Sequence, residues 1–105
     1  MSEGLLGKGL TVANTDKPFY TAPADIKYAT ISVLVANTGA AEITVTISVA
    51  STTAPGAADI VDTGVLLVPG ASLERSCIVV SPNETVFVKG NTATGAVRIH
   101  GLEKA

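Results

Sequence analysis

Few residues in this 105-residue chain are of types that do chemistry. The one histidine is His100 and the one cysteine is Cys77. A cysteine nucleophile needs a base to hold its thiolate, and His100 is the only imidazole on offer. Cys77 alternates in phase with Leu73 and Val79, so it reads as a small buried hydrophobe that stays reduced. His100, on the closing strand beside Gly101, reads as a surface or interface residue. One Cys and one His cannot supply a structural zinc site. Asp59 and Asp62 are close in sequence, beside a glycine, and could lend oxygens to calcium, but the dense ligand spacing of calcium loops is missing. Asn83-Glu84-Thr85 fits the N-glycosylation pattern. That match carries no weight, because the N-terminal residues lack the basic flank and apolar core of a signal peptide. The glycines between Gly4 and Gly9 are not followed by a strand–helix unit, so they do not form a phosphate cradle. These residues predict no enzyme: no catalytic, cofactor-binding or metal-binding set, and no cofactor.

The elements that would position any site are strands. Glu42-Ile43-Thr44-Val45-Thr46-Ile47-Ser48-Val49 alternates strictly between polar and β-branched residues. Successive side chains of a strand point to opposite faces, so this segment has one dry face and one wet one. Residues 26–37 repeat the pattern, with Ile31, Val33 and Val35 on the dry face; Leu34 interrupts it by placing an apolar group on the wet face. Asn37-Thr38-Gly39 has the chemistry of a hairpin loop. The sequence therefore predicts that 26–37 and 42–50 pair side by side, with Ile31, Val33, Val35, Ile43, Val45, Ile47 and Val49 inward.

Further strands are predicted at 10–13, 17–21, 60–68, 72–80, 85–89 and 93–102. The strand at 17–21 carries Pro18 and belongs at an edge. That at 60–68 is broken or bulged around Asp62-Thr63-Gly64. In 72–80, Leu73, Cys77 and Val79 face inward, and Arg75 falls on the inward side with its head reaching water. Asn14-Thr15-Asp16, Pro69-Gly70, 81–84 and 90–92 supply the turns. About eight short strands without a long helix predict an all-β fold, a single antiparallel β-sandwich of immunoglobulin-like or jelly-roll-like kind. The few aromatics, Phe19, Tyr20, Tyr28 and Phe87, are expected as the large pieces of an aliphatic core. Residues 1–9, Gly-rich and without a period, are expected as a flexible or docking arm ahead of a sandwich domain over 10–105.

Composition bounds the partners. Seven Lys or Arg oppose nine Asp or Glu, and neither sign is concentrated, so nucleic acid and acidic membranes are not expected partners. No run approaches the roughly 18 apolar residues of a membrane span. The chain is 47% hydrophobic and only 15% charged, where ordinary soluble domains carry about 25% charge. Two readings follow: a surface built from Ser, Thr, Asn and Gly, or one that other subunits cover in part, which the depletion of charge at interface cores favours.

Gly-Leu-Leu-Gly-Lys-Gly at 4–9, Phe19-Tyr20-Thr21-Ala22-Pro23, the strands from Ala29 to Asn37 and on to Ala50, Leu73-Glu74-Arg75-Ser76 and Val97-Arg98-Ile99-His100-Gly101 carry a resemblance. Over nearly its whole length the chain resembles small virion structural proteins of tailed bacteriophages, especially cyanophages. The resemblance implies a virion protein, made in the host cytoplasm, that acts as a capsid cement or decoration subunit. It would be a homotrimer docked on the major capsid protein or another virion protein. The alternative it implies is a tail or baseplate component, or a receptor-binding module on a fibre that contacts glycans. Two or more aromatics exposed on one face would favour the glycan-binding form.

Overall fold

The computed structural model describes residues 3–52 and 54–105. Its strands are β1 (Glu3–Leu10), β2 (Lys17–Thr21), β3 (Tyr28–Asn37), β4 (Ile43–Ala50), β5 (Ile60–Leu67), β6 (Ser72–Val80), β7 (Thr85–Gly90) and β8 (Gly95–Lys104). A single turn of 3-10 helix at Ala57–Asp59 precedes β5. The pairing β1 with β8, β2 with β7, β3 with β6 and β4 with β5 is antiparallel throughout. The chain thus folds back on itself once, as a long hairpin centred on the β4–β5 connection. Rolling that hairpin up brings β8 beside β3 and β7 beside β4. Two four-stranded sheets result, β1-β8-β3-β6 and β2-β7-β4-β5, which is the strand order of a jelly roll. The all-β sandwich predicted from alternation is the fold observed.

The two sheets trap one aliphatic core. Ile31, Val33, Val35, Ile43, Val45 and Ile47 are at most 1% exposed, as predicted, and Val80, Val86, Val88 and Ile99 join them. Val49 is only half-buried at the core margin. Each of these side chains is worth about 1.5–3 kcal/mol when removed from water.

The predicted side-by-side pairing of 26–37 with 42–50 does not occur. β3 and β4 lie in opposite sheets and meet dry face to dry face across the core. Alternation is equally satisfied by strands that pair and by strands that face one another, so it could not separate the two. Asn37 makes the crossing possible. It is buried, and its Nδ2 donates to the carbonyls of Ala41 at 2.8 Å and Leu67 at 2.9 Å while its Oδ1 accepts from Gly39 N at 2.9 Å. The residues read as a hairpin loop form an arch from sheet to sheet.

Three further differences have local causes. The arm expected over 1–9 is, from Glu3 on, strand β1, with Leu6 packed against the core; Met1 and Ser2 lie outside the described residues. β1 runs so close to β2 that a Cβ at Gly7 would collide with the carbonyl oxygen of Phe19, which is why this strand is Gly-rich. Of the strand expected at 10–13, Leu10 ends β1 and Val12 and Ala13 make only isolated bridges, to Thr15 and Gly90. In β6 the predicted phase fails after Arg75. Val33 opposes Arg75 and Ile31 opposes Ile78, so the strand carries one extra residue opposite Ser32. Cys77 takes φ +61° in that bulge and is exposed, and Val79 turns outward to 61% exposure. Neither is the buried residue that simple alternation implied.

The bulges follow a rule. All four edge strands are irregular: β1 between Leu5 and Gly7, β2 between Pro18 and Tyr20, β6 opposite Ile31 to Val33, and β5 twice, opposite Val45 to Ser48. The central pairs, β3 with β8 and β4 with β7, have none. Bulged edges present a poor template for another chain's strand.

Candidate functional site

The residues singled out for chemistry are scattered. His100 lies on β8, opposite Ser32 of β3, and Cys77 lies on β6 beyond β3, so a whole strand separates imidazole from thiol. Asp59 accepts the Gly56 N–H at 2.7 Å and fastens the 3-10 turn. Asp62 pairs instead with Arg75, Nε to Oδ2 at 2.5 Å, which ties edge strand β5 to edge strand β6 across the side of the sandwich. Arg75 is inward in phase, opposite Val33, and its head reaches out over that open side, as the sequence implied. The two aspartates are therefore engaged separately. Among the described residues no group of three or more His, Cys, Asp or Glu could hold a metal ion.

A buried polar pair went unpredicted. The Tyr20 hydroxyl donates to Glu103 Oε2 at 2.6 Å, joining β2 of one sheet to β8 of the other inside the core. Burial pushes the Tyr20 pKa well above the usual phenol range, and the hydrogen bond and negative charge of Glu103 push it further. The signal was present: Glu103 continues the inward phase of Val97, Ile99 and Gly101, in a strand that runs two residues beyond its predicted end. At one end of the sandwich, buried Thr11 plays a similar part, donating to Thr92 O at 2.7 Å and accepting from Gly95 N at 3.1 Å. These groups hold the sheets in place.

The outer faces of the two sheets differ. On β2-β7-β4-β5, the outward residues Ser48 and Phe87 are only 1% and 4% exposed. The β4–β5 connection folds over this face. It leaves a hollow of about 260 Å³ beside Thr46, Ser48 and Gly56 and another of about 350 Å³ beside Ser51, Pro18 and Phe87. Phe87 is thus buried, but outside the central core.

On β1-β8-β3-β6 no loop among the described residues covers the sheet as the β4–β5 connection covers part of the other. Cross-strand register places Lys8, Arg98, Leu34 and Glu74 in one row, and Leu10, Ala96, Ala36 and Ser72 in the next. All of these but Glu74 line an open, mostly apolar concavity of about 600 Å³. Leu10 is 52% exposed, and Leu5, Tyr28, Leu102 and Val79 extend the apolar surface along the same sheet. Tyr28 is the one exposed aromatic of the four, so the pair of exposed aromatics that would favour glycan binding is not there. Leu34 was the hint in the sequence: the leucine that breaks the alternation lines this concavity.

Lys8 and Arg98 oppose each other directly across β1 and β8. Like charges so placed repel, and neither has an acidic partner among the described residues. What this face can do is bind a surface that is apolar in the middle and acidic to one side. Set against protein-family models, curated proteins and solved structures, the chain matches none.

Proposed function

We propose that this protein is a structural subunit that works by docking, and that it performs no catalysis. One observation carries the reading: a charge-poor chain leaves an open, mostly apolar concavity on the outer face of one sheet, while its β4–β5 connection covers part of the other. Exposed apolar patches rimmed by polar residues mark interaction sites. In its most specific form, drawn from the resemblance to phage virion proteins, the reading is a cement or decoration subunit that binds an assembled shell. A subunit that binds only the assembled lattice stabilises it by mass action. Many small contacts over a shell add by multivalency. Jelly rolls build viral shells but also lectins and cupins, so the fold agrees with the reading by analogy alone.

The test compares purified particles with and without the protein under heat and at low salt, with the protein located by electron microscopy. Lower retention of DNA without it, and density spread over the shell, are expected. Equal retention, or density confined to the tail, contradicts the cement reading; the second result favours a tail component.

A further inference from the structure

We infer that a second copy of this chain docks face to face on the bare outer surface of the β1-β8-β3-β6 sheet. The two-fold axis runs along the strands, over the seam between β8 and β3. Charge complementarity carries the inference. Read across the sheet, one row is Lys8, Arg98, Leu34, Glu74 on β1, β8, β3 and β6. A two-fold axis along the strands reverses the strand order in the facing copy, so β1 meets β6 and β8 meets β3. Lys8 of each copy then lies over Glu74 of the other, and Arg98 over Leu34 with Glu74 beside it. The repulsion between Lys8 and Arg98 is relieved by an acid that their own protomer holds two and three strands away.

The next row follows the same operation. Ala96 meets Ala36 at the centre, small against small, and Leu10 meets Ser72 at the flank. A two-fold axis across the strands along this row, by contrast, sets Lys8 and Arg98 over their own copies. Isologous contacts of this kind are the commonest way for identical chains to associate. Sheets packed face to face with strands nearly aligned are the ordinary geometry of a sandwich.

Area and edges agree. Four strands about 4.8 Å apart, ten residues long at about 3.3 Å each, offer a face of about 600 Å². Two such faces bury about 1,200 Å², at the lower end of what a specific complex needs. Pairing through edges is the competing route, and it is opposed by a bulge on every edge strand. The exposed residues of β5, among them Ile60 and Leu66, lie on the edge strand with two shifts, bent further by Gly64 at φ +62°.

The experiment is sedimentation equilibrium on the full chain. A dimer is expected in the micromolar range, and Leu34→Asp should raise its dissociation constant at least a hundredfold. Lys8→Glu and Glu74→Lys should each raise it about tenfold. Within one chain these two residues are about 14 Å apart, three strand spacings. The double variant Lys8→Glu/Glu74→Lys should therefore restore dimerisation only if they meet between copies. Thermal unfolding of each variant checks that the fold is kept. A monomer, a trimer, or a double variant no tighter than the single ones overturns the inference. The docking function is judged separately: a chain that stays monomeric yet stabilises particles refutes this pair and leaves that function standing.

Discussion

The two outer faces of this sandwich start from similar strands and end differently. On the β2-β7-β4-β5 sheet, the outward residues Thr44, Thr46 and Ser48 of β4 are polar and Phe87 is buried beside the β4–β5 connection, while Ile60 and Leu66 of the edge strand β5, opposite Ser48 and Thr44, stay exposed. On the β1-β8-β3-β6 sheet, Leu10, Leu34, Tyr28 and Leu102 point outward with no loop above them. On the docking reading proposed above, apolar residues on the covered part contribute to folding, whereas those on the bare face contribute to association.

Removing residues 1–8 should produce the largest effect. It takes away all of β1 but Gly9 and Leu10, uncovers most of β8 and removes Leu6 from the core margin. The truncated chain should lose several kcal/mol of stability and melt far lower. A truncated chain that melts as the full one does would return these residues to the dispensable arm suggested by their composition.

A paired substitution breaks the comparison of faces most simply. Phe87→Ala should cost about 3 kcal/mol in chemical denaturation, as for a buried aromatic. Leu34→Ala, measured on dilute monomer, should cost under about 1 kcal/mol. Equal losses would mean that the two faces are alike.

Tyr20 offers a smaller, pH-dependent effect. Its folded pKa lies above the unfolded value of about 10, so the native state holds the phenol proton more tightly. That stability is fully present below pH 10 and is lost as pH rises through the folded pKa. Tyr20→Phe should lower stability by about 1–2 kcal/mol at neutral pH and flatten the alkaline fall, read from unfolding curves between neutral and strongly alkaline pH. An unchanged alkaline slope would place its origin elsewhere.

The smallest effect belongs to the half-exposed Asp62–Arg75 pair. Asp62→Asn should cost about 0.2–1 kcal/mol at low salt and less at high salt. A loss indifferent to salt would point to packing instead of charge.

What was legible in the sequence was what alternation encodes. Ile31, Val33, Val35, Ile43, Val45 and Ile47 were all placed correctly, and the strand at 72–80 was bounded as observed. What alternation does not encode is which strands are neighbours, so β3 and β4 were paired when they face each other. It also assumes no extra residue. The bulge at Cys77 has no glycine to mark it, and every residue after it changed face. β1 was missed because its glycines, needed beside Phe19, erase the strand pattern. The bare face was foreshadowed by Leu34 alone. Its partners Lys8, Arg98 and Glu74 are distant in sequence and come into one row only through the rolled-up pairing.

The central claim is that the β1-β8-β3-β6 face is the one reserved for association. Hydroxyl-radical footprinting of the full chain at low and high protein concentration tests it most directly. Leu10 and Leu34 should lose reactivity as concentration rises, while Leu66 on β5 and Val68 just after it should stay as reactive as before. Protection of Leu66 and Val68 with Leu10 and Leu34 unchanged would contradict the account and move the docking surface to the β5 edge.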